Sequence, residues 1–167
     1  WGHPWQIKRG RFSEHRTGSW SHRVADAYDL TYDLMTDEES SKIRKAIIDN
    51  IVKGSFRTYV YNDNITSNTS NWLGMISGGA MMSMAAIYGD GPDVENLEPY
   101  FTGTMMKYYE FITKVTDSND GSWGEGLGYN NYTFSNMGYS VPSLKNVFNI
   151  DLSAPLIGTY NEYIWGG

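Results

Sequence analysis

The sequence predicts an all-α domain, and three observations lead to that class. Apolar residues recur with helical spacing through most of the chain, one long segment is apolar on nearly every face, and no credible sheet pattern is present. Turn residues separate the periodic segments, so the helices should pair as antiparallel hairpins. At 167 residues the chain is long enough for a real core, and we expect residues 1–167 to form a single domain.

The first predicted hairpin follows an irregular N-terminal segment. Residues 1–23 are expected to be irregular, and helical hairpins should occupy 24–167. The stretch "VADAYDLTYDLM" has helical apolar spacing. The next helix should begin at the capping box "TDEE", in which Thr36 is the N-cap and Glu39 stands three residues on. Gly54 is its predicted end.

The middle of the chain contains the most apolar helix. The short segment "FRTYVY" is ambiguous between a helix end and a strand, and the polar loop "NDNITSNTS" follows it. The stretch "NWLGMISGGAMMSMAAIY" has no polar face, so this helix should lie buried at the centre of the fold. The small residues Ser77, Gly78 and Gly79 in its middle predict that a neighbouring backbone packs close to it.

Two further helices are predicted after the turn "GDGPD". Leu97 to Val115 form an amphipathic helix, and residues 130–148 form another, in which Pro142 should force a kink or a break. A last short helix is expected to start at Ser153.

Composition and charge narrow the classes of partner that this chain can have. The net charge of −6 argues against a nucleic-acid partner, because no basic stripe is present to neutralise phosphates. There is no cysteine, and no apolar run reaches the ~20 residues of a membrane span. Aromatic residues make up 15% of the chain, which suits either an aromatic-lined groove or a tyrosine-rich core. The N-terminus lacks the features of a signal peptide and does not begin with Met, so we expect a longer parent chain.

No cofactor or metal is predicted. In "GEGLG" the position at which a dinucleotide fingerprint needs its third glycine is Tyr129, and no strand precedes the motif. The acidic stretch "DSNDGSWGE" does not have the ligand spacing of a calcium loop. His3, His15 and His22 lack the spacing of metal ligands.

Two polar loops give the strongest functional signal. The loop "SNTSNW" (67–72) precedes the most buried helix, and the glycine-rich loop "DGSWGEGLGYNNY" (120–132) precedes another. Both present side chains at helix N-termini, which favour anionic groups. The alternative is that Asn68 or Asn71 is simply an N-cap. The glycines either form a turn or allow a ligand to approach the backbone closely.

One segment resembles a known enzyme family. The stretch "DGSWGEGLGYNNYTFSNMGYSVPSLKNVFNIDLS" is similar to the segment shared by heparinase II/III-like polysaccharide lyases and dermatan sulfate epimerases. The pattern is filled by Asp120, Gly121, Glu125, Gly126 and Tyr129. Upstream, "AYDLTYDLMTDEESSKIRKAII", "NW" followed by "GG", and "AAIYGD" resemble the family's preceding helices in the same order. The similarity extends over roughly residues 24–158.

The resemblance implies an incomplete α/α toroid, normally followed by a β-sandwich domain in the remainder of the chain. It also implies β-elimination on an acidic polysaccharide, such as a glycosaminoglycan or alginate, by a secreted or periplasmic enzyme. Tyr129 takes the place of the tyrosine that serves as base and acid, and Asn68 or Asn71 that of the donor to the substrate carboxylate. The family draws a further histidine from beyond this segment.

Substrate contacts are expected around these residues. Trp72 and Trp123 can stack on pyranose faces or belong to the core, and Glu125 and Tyr132 are assigned to substrate binding. Two alternatives to a lyase stay open. A uronyl C5-epimerase shares the proton abstraction without the elimination, and a toroid fragment can bind carbohydrate without catalysis.

Overall fold

The computed structural model describes residues 13, 15–62, 69–94, 96–116 and 124–154. All regular secondary structure in these ranges is helical, which confirms the all-α class. The helices are α1 (His15–Thr31), α2 (Asp37–Ile47), α3 (Lys53–Phe56), α4 (Asn71–Ile87), α5 (Glu98–Thr116) and α6 (Gly126–Phe148). Two π-helical segments, Ile48–Val52 and Arg57–Tyr61, flank α3, and short 3-10 turns lie at Tyr32–Leu34 and Pro92–Val94.

The first hairpin is antiparallel. Near the end of α1, the hydroxyl of Tyr28 accepts a hydrogen bond of 3.2 Å from the guanidinium of Arg44 on α2. Just before α1, the backbone N–H of Ser13 donates to Oγ1 of Thr58 at 2.9 Å. The residue near the end of the first arm therefore pairs with one near the start of the second arm, and the residue before the first arm pairs with one near the end of the second. This is the pairing of an antiparallel hairpin. The predicted capping box at Thr36 is present at the start of α2.

Helix α1 begins well before its predicted start at Val24. Its first turns are helical because they pack on α4, where a Cβ on Gly18 would lie 2.7 Å from the backbone of Met75. The irregular segment predicted for residues 1–23 therefore ends before His15, and residues 1–12 and 14 lie outside the described ranges.

The prediction that Gly54 ends the second helix is wrong. Gly54 is buried and does not take the left-handed conformation with which glycine ends helices. Its carbonyl instead accepts a hydrogen bond of 2.8 Å from Oγ1 of Thr58, within the same continuing helix. The ambiguous segment "FRTYVY" is accordingly helical, and most of it is the π-helical segment Arg57–Tyr61.

Helix α4 lies at the centre of the fold, as predicted. It packs against α1, α5 and α6, and nearly all its residues are buried. The close approach predicted from its small residues is present, because a Cβ on Gly79 would lie 2.7 Å from the carbonyl oxygen of Gly18. Gly74 faces Phe111 and Gly78 faces Tyr108, so α4 and α5 run antiparallel.

Helix α6 continues through Pro142, where we predicted a kink or a break. Pro142 is exposed, and so is Gly138, whose carbonyl would have accepted the missing N–H, so water can satisfy that group. The helix ends at a left-handed Asn149 with a φ of 56°. Of the last predicted helix, only Ser153 and Ala154 lie within the described residues, and both are helical. The incomplete toroid remains a prediction.

Candidate functional site

A hydrogen-bonded contact between Asn71 and Glu125 joins the two polar loops. Oε2 of Glu125 accepts one hydrogen bond from the backbone N–H of Asn71, at 3.0 Å, and another from its side-chain Nδ2, at 2.6 Å. Asn71 is the first residue of α4, and Glu125 directly precedes α6. The contact therefore holds together the N-termini of two helices whose contacting residues lie 54 positions apart in the sequence.

The carboxylate of Glu125 lies at the N-terminus of α4, where the helix favours a negative charge. The first N–H groups of a helix have no partner within the helix and carry partial positive charge, so an anion at this point is favourable. The N-cap of α4 is Ser70, whose hydroxyl accepts from the backbone N–H of Trp72 at 3.3 Å. The alternative that Asn71 is simply an N-cap is therefore wrong, because Ser70 caps the helix and Asn71 binds Glu125.

The side chain of Asn71 is held in one orientation. Asn71 is only 5% exposed. A carboxylate can only accept hydrogen bonds, so the amide nitrogen of Asn71 must face Glu125. That nitrogen carries two hydrogens, and the bond to Glu125 uses one of them. The amide oxygen is buried and has no hydrogen-bond partner among the described residues.

Tyr129 lies in the first turn of α6, four residues after Glu125. Its side chain is 53% exposed, so the surrounding helices leave it open to solvent. Tyr132, which is partly buried, lies nearly one turn further along the helix. The structure thus places the predicted base on the helix whose start contacts Asn71.

The glycines before Tyr129 have two different roles. Gly126 has a φ of 79°, a conformation that other residues rarely adopt. By contrast, a Cβ on Gly124 or Gly128 would meet nothing within 4 Å. Packing among the described residues therefore requires neither Gly124 nor Gly128, and their exposed backbone is open to a ligand.

Two predicted site residues, Asn68 and Trp123, lie outside the described residues. Trp72 is partly buried and packs against the hydrophobic core, which favours the core assignment over stacking on a sugar. Of the predicted residues, the structure brings Asn71 and Glu125 into contact and places Tyr129 and Tyr132 on the helix that follows.

A second polar cluster, which the sequence interpretation missed, joins α1 to α6. Nδ2 of Asn136 donates to the carbonyl oxygen of Tyr132 at 2.7 Å, so its Oδ1 accepts from Nε2 of His22, at 2.5 Å. The His22 ring stacks on Tyr139 with 5.8 Å between centroids. Burial lowers the pKa of His22 below its ordinary value. The helical spacing of Tyr132, Asn136 and Tyr139 was the available signal, since it places them on one face.

A groove on the surface is lined by none of the residues that form these two clusters. The groove has a volume of about 580 Å³ and runs between α1 and α2 with its π-helical continuation, and its walls include Trp20, Val24, Ile43, Ile47 and Ile51. None of the predicted site residues lines it. Apolar walls of this kind suit a packing surface better than a site for a charged sugar.

Within the described ranges, no cluster of three or more histidines or carboxylates is arranged to hold a metal ion. The helices described there also include none with the length and apolar character needed to span a membrane. No protein-family model, curated protein or solved structure matches this chain.

Proposed function

We propose that this chain carries part of the active site of a polysaccharide lyase that cleaves a uronic-acid-containing polysaccharide by β-elimination. The proposal depends chiefly on one observation, the contact between Asn71 and Glu125. That contact holds an amide donor beside the start of the helix that bears Tyr129. The resemblance of residues 120–153 to the heparinase II/III-like segment supports the same chemistry.

The reaction explains why these residue types are needed. A base removes the proton next to the uronate carboxylate, and the electron pair forms a carbon–carbon double bond as the bond to the glycosidic oxygen at C4 breaks. Abstraction would place a second negative charge beside the first, so a hydrogen-bond donor to the carboxylate stabilises the transition state. A preorganised donor of this kind is worth about 3–4 kcal/mol.

Asn71 and Tyr129 are assigned these two roles. The second N–H of Asn71 is the proposed donor to the substrate carboxylate, which has to reach it through the small part of Asn71 that is exposed, since the residue is only 5% exposed. The deprotonated phenolic oxygen of Tyr129 is the proposed base: it takes the C5 proton to become the neutral hydroxyl, which then gives that proton to the leaving glycosidic oxygen. The exposure of Tyr129 supports this assignment, because a substrate can reach the side chain. The open backbone at Gly124 and Gly128 supports a close approach of the sugar.

Incubation of the intact protein with a panel of polyuronates tests the proposed function. Elimination creates an unsaturated uronate that absorbs ultraviolet light, and we expect this absorbance to rise with at least one substrate. Exchange of the uronate C5 hydrogen with deuterated solvent, without ultraviolet absorbance, would identify an epimerase instead. Retention of polyuronates without either reaction would indicate a binding module.

Two matched tyrosine variants test the assignment of the base. Tyr129→Phe removes a hydroxyl and little else, and it should lower kcat about 100-fold or more with KM nearly unchanged. Tyr132→Phe is the control and should retain turnover. If Tyr132→Phe alone loses activity, the base is assigned one turn too early. If both variants retain activity, the tyrosine mechanism is wrong.

A further inference from the structure

We infer that Glu125 is a positioning residue that acts through Asn71 and does not itself touch the substrate. This inference depends on the proposed function of Asn71. It replaces the assignment of Glu125 to substrate binding that the sequence pattern suggested.

The first argument is the shape of the contact. One carboxylate oxygen accepts both the backbone N–H and the side-chain N–H of the same residue. The two hydrogen bonds fix the side chain of Asn71 relative to its own backbone as well as to Glu125. Bonds to an ionised acceptor are stronger than neutral ones, so this arrangement is more rigid than one made with a neutral acceptor.

The second argument concerns the orientation of the amide. An asparagine side chain turned by a half-rotation exchanges its donor and acceptor with almost no change of shape. In the turned orientation the amide oxygen of Asn71 would face the carboxylate of Glu125, and two acceptors would repel each other. Glu125 therefore selects the orientation in which the second N–H of Asn71 has no partner among the described residues and can donate to a substrate carboxylate.

The third argument is the position of Glu125 in the chain. Glu125 occupies the residue directly before α6, and Tyr129 lies in the first turn of that helix. The same carboxylate thus fixes the amide of Asn71 and the start of the helix that carries Tyr129. Direct contact of Glu125 with an anionic sugar is less favourable, because it would bring a second carboxylate toward the substrate's own.

A double-mutant cycle on kcat/KM in the intact protein separates the two roles. Asn71→Ala and Glu125→Ala should each lower kcat/KM, the latter about tenfold to a hundredfold, because an oriented buried group loses its partner. If Glu125 acts through Asn71, adding Glu125→Ala to Asn71→Ala should change kcat/KM little further. Multiplicative losses would overturn the inference and restore direct substrate contact.

Conservative variants strengthen the test. In Glu125→Gln the amide oxygen can still accept both hydrogen bonds from Asn71, so kcat/KM should return to within about tenfold of the wild-type value. Glu38→Gln is the matched control and should leave activity unchanged, since the side chain of Glu38 is exposed and, among the described residues, pairs with Lys42 alone. Failure of Glu125→Gln to exceed Glu125→Ala would count against a hydrogen-bonding role.

The same cycle measured by denaturant unfolding does not depend on activity. Unfolding free energies of Asn71→Ala, Glu125→Ala and the double variant should be clearly non-additive, because the two side chains contact each other. Additive values would overturn the inference at any level of activity. Non-additive values in a protein that acts on no polyuronate would refute the proposed function and still support the fixed orientation of Asn71.

Discussion

Replacement of Gly79 by alanine should destabilise the protein, although alanine is the better helix former. The added Cβ would lie 2.7 Å from the carbonyl oxygen of Gly18 and 2.8 Å from Cβ of Ser21, whereas ordinary contacts begin at 3.4 Å. Helices α1 and α4 would have to move apart by several tenths of an ångström, and the nearest obstacle is backbone. Overpacking of this kind costs about 1–3 kcal/mol, or more.

The gain from helix propensity offsets only part of that cost. Alanine is favoured over glycine in a helix interior by about 1 kcal/mol. Because the nearest obstacle is backbone, which cannot rotate away, we take the upper part of the overpacking range, about 2–3 kcal/mol. The expected net loss is therefore about 1–2 kcal/mol, which for a domain of this size lowers Tm by roughly 2–8 °C. Circular dichroism at the helical minimum, followed during heating, measures the shift.

Gly138→Ala is the matched control for this experiment. Gly138 lies in α6, is exposed, and a Cβ there would meet nothing within 4 Å. The same substitution should therefore stabilise the protein by about 0.5–1 kcal/mol. Opposite shifts in Tm are expected from the two variants. A Gly79→Ala protein as stable as the wild type would refute the close approach of α1 and α4.

Three further predictions concern stability. Burial lowers the pKa of His22, so the unfolded chain takes up the proton first. The stability that His22 contributes is therefore complete above about pH 6.5 and is lost as pH falls through the pKa of the folded state. Urea titrations at several pH values should show the unfolding free energy decreasing over this range, and His22→Gln should make the decrease smaller. Thr36→Ala removes the capping box of α2 and should cost about 1 kcal/mol by denaturant unfolding, whereas no measurable loss would contradict the capping role. Asn71→Asp replaces the amide donor with a second carboxylate against Glu125, and two carboxylates in contact repel each other when both are ionised. This variant should lose stability relative to the wild type as pH rises above about 4, and parallel pH profiles would contradict the contact.

The helical class, the central helix and one helix start could be predicted from the sequence. The apolar character of residues 71–88 predicted that they would be buried, because a helix without a polar face must be covered on all sides. The capping box at Thr36 could also be predicted, since its two hydrogen bonds join residues only three positions apart. Features of this kind depend on local spacing and composition, which the sequence displays directly.

Features that depend on distant partners could not be predicted and became visible only in the folded structure. Helix α1 starts early because Gly18 packs on α4, and Gly54 remains inside a helix although glycine often ends one. The polar loops were predicted to be functional, yet only the fold pairs Asn71 with Glu125 and leaves the capping of α4 to Ser70. Some of these features depend on contacts between residues far apart in the sequence, and the N-cap of α4 depends on which of two neighbouring residues caps the helix. Local periodicity contains no information about distant contacts or about the choice between neighbouring caps.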